Sequence, residues 1–343
     1  MAVHPSIFAI YWKENYVMNR YPEIINIEIM SKCNLKCIHC KLQHQTTEAK
    51  NRWMSIEDFK KYADRIKDFI IHANEFMFSS VEPLLHPELF HMMDYVSSIN
   101  PQMEFPIQTN GMFLSEEILG GLCERNVPWV SVALDGINEE QLAFFKKGTV
   151  FATVIDNLKM LRALMPKTCL IRTVFVSNTE NISILLDYVC FCKKLGIDAI
   201  DVNGLFCYDE KLQQYALYSE KGNERVEKIF EKAEEIGNTL GIQVQTPRLT
   251  PEFIGCEWNK ILCVDGDGNV NPCVMLAQKI PFYFLGEYTK GQIVRFGNIM
   301  KTDIKEIWNG DKCVEFHKSM QSKEIQDVCR CCAEGYGVVC SNR

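Results

Sequence analysis

Hydrophobic residues in the first two thirds of the chain occur in short runs separated by longer amphipathic stretches. Six runs have the length and composition of buried β-strands, at residues 24–29, 75–79, 104–108, 129–134, 169–176 and 198–202. Strands that alternate with helical segments are typical of βα units, which build a mainly parallel sheet. The pattern between Ile24 and about Thr246 therefore predicts an α/β fold in which six units form an open, partial barrel.

Two of the amphipathic stretches carry clear helix signals. Ser55, followed three residues later by Asp58, is typical of a capping box, and apolar residues then recur at helical spacing: Ile56, Phe59, Ala63, Ile66 and Ile70. Asn181 is expected to start another helix, which Gly196 ends. We predict that these apolar faces pack on the sheet, which gives a partial (β/α)6 TIM-like barrel.

The last quarter of the chain has a different texture. From Cys256 onward Gly, Asp, Asn and Pro replace the βα alternation, and the Asp-Gly steps between Cys263 and Cys273 favour a hairpin with tight turns. A calcium-binding EF-hand loop is excluded here, because it needs Gly at its sixth position, where Val270 stands. We predict an N-terminal segment at 1–22, the barrel at 23–250 and a small Cys-rich α+β module at 251–343.

Composition narrows the class of protein. The 343 residues are 47% hydrophobic and 24% charged, with 37 Lys and Arg against 44 Asp and Glu. An acidic balance without any Lys/Arg-rich run disfavours binding to nucleic acid or to an anionic membrane. The start of the chain lacks the features of a signal peptide, and no apolar run reaches the length of a membrane span. We therefore expect a cytoplasmic protein.

The 16 cysteines indicate metal binding, because clustered cysteines in a cytosolic chain of this size are more often metal ligands than disulfides. Cys33, Cys37 and Cys40 form a CxxxCxxC group directly after the first predicted strand. A [4Fe-4S] cluster ordinarily has four Cys ligands, so a trio without an obvious fourth member predicts a cluster with one open iron. That iron could chelate the amino and carboxylate groups of S-adenosylmethionine (SAM). A structural metal knuckle is the alternative interpretation.

This group resembles the signature of the radical SAM superfamily, in which an aromatic residue or His, here His39, precedes the third Cys. The resemblance implies that SAM is cleaved to methionine and a 5'-deoxyadenosyl radical, which abstracts a hydrogen atom from the substrate. It also implies a reducing partner such as flavodoxin or ferredoxin.

Further segments that follow the predicted strands resemble the SAM-binding motifs of the same superfamily. SSVEP at 79–83 stands where the family has GGEP, QTNG at 108–111 resembles its TNG segment, and VALDG at 132–136 resembles its SLDG segment. Lys146 takes the place of an Arg that pairs with the SAM carboxylate, and Ser177 is expected on the adenine side. The residues that the resemblance assigns to SAM are His39, Ser80, Glu82, Asn110, Asp135, Lys146 and Ser177.

The C-terminal cysteines resemble SPASM and twitch modules, which hold auxiliary iron-sulfur clusters. Cys256, Gly268 and Cys273 match the opening of such a module, and the later cysteines are Cys329, Cys331, Cys332 and Cys340. One [4Fe-4S] cluster is expected, held by Cys256 or Cys263 together with Cys273, Cys329 and Cys332. The eight thiolates of this region, which include Cys313 and Cys340, could instead hold two clusters, and structural zinc is the competing interpretation.

The sequence thus predicts a radical SAM enzyme with one or two auxiliary clusters that oxidises or epimerises a polar small molecule such as a sugar or aminocyclitol. Modification of a peptide or protein is the second hypothesis. The short segment before Ile24 leaves no room for a fused leader-recognition domain, which favours the first. A third hypothesis is a non-catalytic iron-sulfur or zinc protein.

Overall fold

Parallel strands and helices alternate along the barrel region of this computed structural model, which describes residues 20–44, 52–78, 81–322 and 324–339. The seven parallel strands are β1 Ile24–Ile27, β2 Glu75–Phe78, β3 Ile107–Thr109, β4 Trp129–Ala133, β5 Leu170–Val176, β6 Ala199–Asn203 and β7 Gln243–Gln245. β1 pairs with β2, β3 to β7 pair in chain order, and a parallel bridge from Glu75 to Glu104 links the two sets. The α/β fold and partial barrel are confirmed.

Two strands differ from the sequence prediction by more than two residues, and the other five lie within two residues of their predicted bounds. β3 begins at Ile107 rather than at 104, because Pro106 has no N–H to donate to a ladder. β7 was not predicted, since its three residues contain a single apolar side chain, Val244, and give no hydrophobic run.

Helices cover the outer face of the barrel, and the last two described helices follow the last strand. Their bounds are α1 Ile56–Arg65, α2 Lys67–His72, α3 Leu89–Ile99, α4 Glu116–Cys123, α5 Glu139–Phe145, α6 Phe151–Leu164, α7 Leu185–Lys194, α8 Glu224–Leu240, α9 Ile304–Trp308 and α10 Asp311–Gln321. None of the described helices has both the length and the hydrophobicity needed to cross a membrane.

The first predicted helix is interrupted near its end. Ser55 caps α1 by accepting a hydrogen bond from Asp58 N at 3.1 Å, as predicted. The backbone leaves helical geometry at Ile66, where α2 follows, but Ile66 and Ile70 are still completely buried. The predicted apolar stripe is therefore confirmed as a packing face, although it spans two helices.

The second predicted helix has an irregular start. A 3-10 turn, Ile182–Ile184, follows Asn181 and precedes α7, and Gly196 ends the segment with φ of 74°. Asn181 does not cap the helix, because its side-chain oxygen accepts a hydrogen bond from Asn178 N.

The Cys-rich region adds three of its five described strands to the barrel sheet, and the other two pair with each other in a separate sheet. Its strands are β8 Ile261–Val264, β9 Asn269–Asn271, β10 Phe282–Phe284, β11 Glu287–Thr289 and β12 Gly297–Asn298. The predicted hairpin is β8 and β9, and β8 pairs in parallel with β1, with Cys263 opposite Asn26. The last described residues return to the end of β6, where Gly204 N donates to Val339 O at 2.8 Å. Both contacts bring the C-terminal cysteines close to the barrel.

Candidate active site

The cysteine trio lies in the loop that follows β1, at the carboxyl end of the strands. This loop is fixed to the end of α5, because Lys36 N donates to Lys147 O and Ile38 N to Phe145 O, each at 3.0 Å. Cys33, Cys37 and Cys40 are half-buried free thiols that are close enough to interact electrostatically. In parallel α/β folds ligands bind at this end of the sheet.

The chemistry of the trio fits a metal cluster. Burial raises the pKa of Cys37 to about 12 and raises the pKa values of Cys33 and Cys40 as well. Three adjacent half-buried thiols with raised pKa values ionise readily only when a metal supplies positive charge. Among the described residues, no three His, Cys, Asp or Glu side chains have the spacing of a single-ion site. A cluster tolerates wider spacing, because iron and sulfide atoms separate its ligands.

Glu82 connects the ends of two strands beside the trio. It is 2% exposed, and its carboxylate accepts hydrogen bonds from Thr109 Oγ1 and Asn110 N, both at 2.7 Å. Burial raises its pKa to about 7, although these hydrogen bonds oppose the shift. Asn110 Nδ2 in turn donates to Asn34 Oδ1 at 2.8 Å and lies 3.9 Å from Cys33 Sγ. The structure therefore brings Glu82 and Asn110 to the cysteine loop.

Asp135 and Lys146 form a buried ion pair beside the trio. Lys146 Nζ lies 3.3 Å from Asp135 Oδ2, and Asp135 Oδ1 accepts a hydrogen bond from Val176 N at 2.9 Å. The positive charge of Lys146 also acts on Cys37 and Cys40, for which it favours the thiolate. Lys146 is thus occupied by a protein carboxylate, and its predicted contact with the SAM carboxylate stays a prediction.

The remaining residues assigned to SAM have different surroundings. Ser177 is buried at the end of β5, and both its N–H and its hydroxyl donate to Asn203 O, at 2.7 and 2.9 Å. The His39 ring packs edge to face on Phe145 at 5.5 Å, and burial lowers its pKa to about 4. Ser80 lies outside the described residues.

Four C-terminal cysteines surround one apolar cavity of about 40 Å³. Cys256, Cys273, Cys329 and Cys332 line it together with aromatic side chains and Glu334. Burial raises the pKa of Cys273 to about 11 and that of Cys329 to about 12, and it raises those of Cys256 and Cys332 strongly. Four convergent thiols on a protected cavity suit a second iron-sulfur cluster.

Cys263 lies outside the cavity that these four cysteines line, although it is close enough to Cys273 for the two ionised thiols to repel each other. Cys263 lies on β8, between Asn26 on β1 and Asn271 on β9, and does not line their cavity. Of the two alternatives that the sequence left open, the geometry favours Cys256 as the fourth ligand. Cys340 lies outside the described residues.

Lys41 is a site residue that sequence reasoning missed. It directly follows Cys40 and is only 8% exposed, and its Nζ approaches Val274 O at 3.5 Å, next to Cys273. A single Lys beside a metal-binding motif resembles a solvated charge, so the sequence contains no signal for this position. The two cysteine groups are therefore neighbours.

The fold and the two cysteine groups define an iron-sulfur enzyme built on a partial barrel. The sequence profile of the Radical SAM superfamily matches residues 27–189, and that of the SPASM iron-sulfur cluster-binding domain matches residues 256–333. The chain belongs to the radical SAM superfamily and carries a SPASM domain. Membership implies a [4Fe-4S] cluster, SAM and auxiliary iron-sulfur clusters.

Known proteins resemble the chain over most of its length. It is 24% identical over 298 residues, 84% of this chain and 82% of the other, to the tungsten-containing aldehyde ferredoxin oxidoreductase cofactor-modifying protein of Pyrococcus furiosus. The structure of Streptococcus suis SuiB bound to SAM has a TM-score of 0.65 and 16% identity, covering 92% of this chain and 72% of SuiB. The structure of anSMEcpe with bound SAM has a TM-score of 0.64 and 19% identity, covering 90% and 88%.

Proposed function

We propose that this radical SAM enzyme oxidises or epimerises a polar small molecule, such as a sugar or an aminocyclitol, with the help of an auxiliary cluster. When bound, the first cluster and SAM would supply the electron and the 5'-deoxyadenosyl radical for hydrogen-atom abstraction. Cys33, Cys37 and Cys40 would hold that cluster. Cys256, Cys273, Cys329 and Cys332 would hold the auxiliary one.

The observation that carries this proposal is the contact of Lys41 with the segment after Cys273. Because Lys41 follows Cys40, one side chain spans the distance between the two candidate cluster sites. The substrate radical would release an electron as it is oxidised. The auxiliary cluster would then be an electron acceptor close to the site where the radical forms. This arrangement suits a net oxidation, and it is compatible with epimerisation.

The remaining SAM-site residues would form the walls of the cofactor site. Glu82 and Asn110 are joined to each other and to the cysteine loop, and Asp135 is held by Lys146. We assign them to SAM together with His39, Ser80 and Ser177. A buried carboxyl such as Glu82 is a suitable acceptor for the amino group of SAM. The positive charge of bound SAM would lower the pKa of Glu82 and restore its carboxylate form.

Similarity to a cofactor-modifying protein over most of the chain supports a small-molecule substrate. Peptide or protein modification is the second candidate, because SuiB has been solved with its precursor peptide SuiA and anSMEcpe with the Cp18Cys peptide. Those similarities are below 20% identity and support the shared fold. Family membership makes the chain an enzyme, so the non-catalytic alternative is not supported.

We also propose the cytoplasm as its location, flavodoxin or ferredoxin as its reductant, and a division of the chain at residues 1–22, 23–250 and 251–343. The acidic composition, with 44 Asp and Glu against 37 Lys and Arg, supports the absence of nucleic-acid and membrane partners.

Anaerobic reconstitution tests the chemistry directly. Iron, sulfide and zinc would be measured in the wild type and in a Cys33→Ala, Cys37→Ala, Cys40→Ala variant, with 5'-deoxyadenosine assayed in both. We expect the variant to lose one cluster's iron and all nucleoside formation. Nucleoside formation that persists in the variant would contradict the proposed site.

A fractionated extract of the source cells distinguishes the two substrate classes. The small-molecule and protein fractions would be added separately, and products would be identified by mass spectrometry. Turnover of a compound in the small-molecule fraction supports the first candidate. Turnover confined to the protein fraction supports the second.

A further inference from the structure

Lys41 places a buried positive charge between the two cysteine groups. Lys41 is 8% exposed. It is the first residue of a 3-10 turn, Lys41–Gln43, that directly follows Cys40. Its ammonium group donates to Val274 O at 3.5 Å. In the part of the chain that the structure describes, no carboxylate lies within the 4.0 Å of an ion pair with it. A buried ammonium with so little direct compensation requires nearby negative charge.

Negative charge is available from both cysteine groups and from one carboxylate. The ionised forms of Glu28, Cys40, Cys273 and Cys263 all stabilise the Lys41 cation electrostatically. Cys40 belongs to the trio and Cys273 to the auxiliary cavity. Lys41 is therefore within electrostatic range of ligands from both candidate clusters.

We propose that Lys41 is a shared electrostatic link that raises the reduction potentials of both iron-sulfur clusters. Thiolate-ligated clusters gain negative charge on reduction, and their potentials depend on nearby charge and on solvent exposure. A buried cation stabilises the reduced form of each cluster more than the oxidised form. This inference depends on the clusters and not on the substrate class.

The test is a redox titration of the reconstituted holoenzyme at pH 8, followed by electron paramagnetic resonance so that the two clusters are resolved. In Lys41→Gln, which keeps a hydrogen-bond donor but no charge, both potentials should become more negative. We expect the reduced-to-oxidised ratio at a fixed potential to fall about tenfold, which corresponds to about 59 mV for a one-electron couple. Lys41→Arg keeps the charge and should keep both potentials near those of the wild type.

Two further variants make the result decisive. Lys61→Gln removes an equal charge from the exposed surface of α1 and should leave both potentials unchanged. Lys41→Met, which is uncharged and similar in length, should shift both potentials downward in the same way, so it decides the matter if Lys41→Gln fails to assemble its clusters. A shift of one cluster alone, or of neither, would overturn the shared role. Formation of 5'-deoxyadenosine by the wild type tests the proposed function separately.

Discussion

The ammonium group of Lys146 lies 3.3 Å from Oδ2 of Asp135, and both side chains are almost completely removed from solvent. Asp135 is held in place by Val176 N, while Lys146 directly follows α5, beside the loop of the cysteine trio. The pair thus joins the end of β4 to the candidate cluster site. Because the pair is buried, each charge is stable there only while the other is present.

Removal of the lysine charge should therefore destabilise the protein. In Lys146→Met the carboxylate of Asp135 stays buried without its cation, which we expect to lower the free energy of unfolding by about 3–5 kcal/mol. The double variant with Asp135→Asn should recover much of this loss, because Asn retains an acceptor for Val176 N. Thermal midpoints of the wild type, the two single variants Lys146→Met and Asp135→Asn, and the double variant would measure the coupling. Equal stability of Lys146→Met and the wild type would contradict this prediction.

The choice between Cys256 and Cys263 as a cluster ligand gives a second prediction. Cys256→Ala should lose the auxiliary cluster's iron, because Cys256 lines the cavity shared by Cys273, Cys329 and Cys332. Cys263→Ala should retain it, since Cys263 lies between two asparagines on neighbouring strands. Cys313→Ala is a matched control for loss of a buried thiol. Iron analysis and absorbance at cluster wavelengths measure the outcome, and loss of iron in Cys263→Ala would reverse the assignment.

These sites show where sequence reasoning succeeded and where it could not. The trio and the acid of SSVEP were found because their ligand types and short spacings are local in sequence. The pairing of β8 with β1 could not be predicted from the sequence, because Asn26 and Cys263 are distant in the chain and only tertiary folding sets their register. Lys41 was missed for the same reason, because its burial depends on a contact with Val274.

Gly204 provides a third prediction, about the attachment of the C-terminal segment. A Cβ atom at Gly204 would lie 1.9 Å from Val338 O, so any side chain must displace the segment that carries Val339. We expect Gly204→Ala to lower the free energy of unfolding by about 1–3 kcal/mol and to reduce auxiliary iron. Gly120→Ala on α4 is the control, because nothing lies within 4 Å of its Cβ position and Ala favours the helix. Thermal midpoints and limited proteolysis would compare them, and equal behaviour of the two variants would contradict the prediction.

The fourth prediction concerns Glu75, which begins β2 at the barrel end opposite the cysteine trio. Burial raises its pKa to about 7, and the nearby carboxylates of Glu104 and Glu23 add to the shift. The folded protein therefore binds a proton that the unfolded chain releases at about pH 4.5. This favourable contribution is fully present below about pH 4.5 and is lost as the pH rises through about 7, at up to about 1.4 kcal/mol per pH unit.

Glu75→Gln removes this ionisation, so the variant should be more stable than the wild type at pH 8 and similar to it at pH 4.5. Part of the wild-type pH dependence should survive in the variant, because burial also raises the pKa of Glu82 to about 7. Thermal midpoints of the cluster-free protein between pH 4.5 and 8 would measure the difference. Glu57→Gln on the exposed face of α1 should follow the wild-type curve throughout. Parallel curves for Glu75→Gln and the wild type would show that Glu75 is ionised across this range.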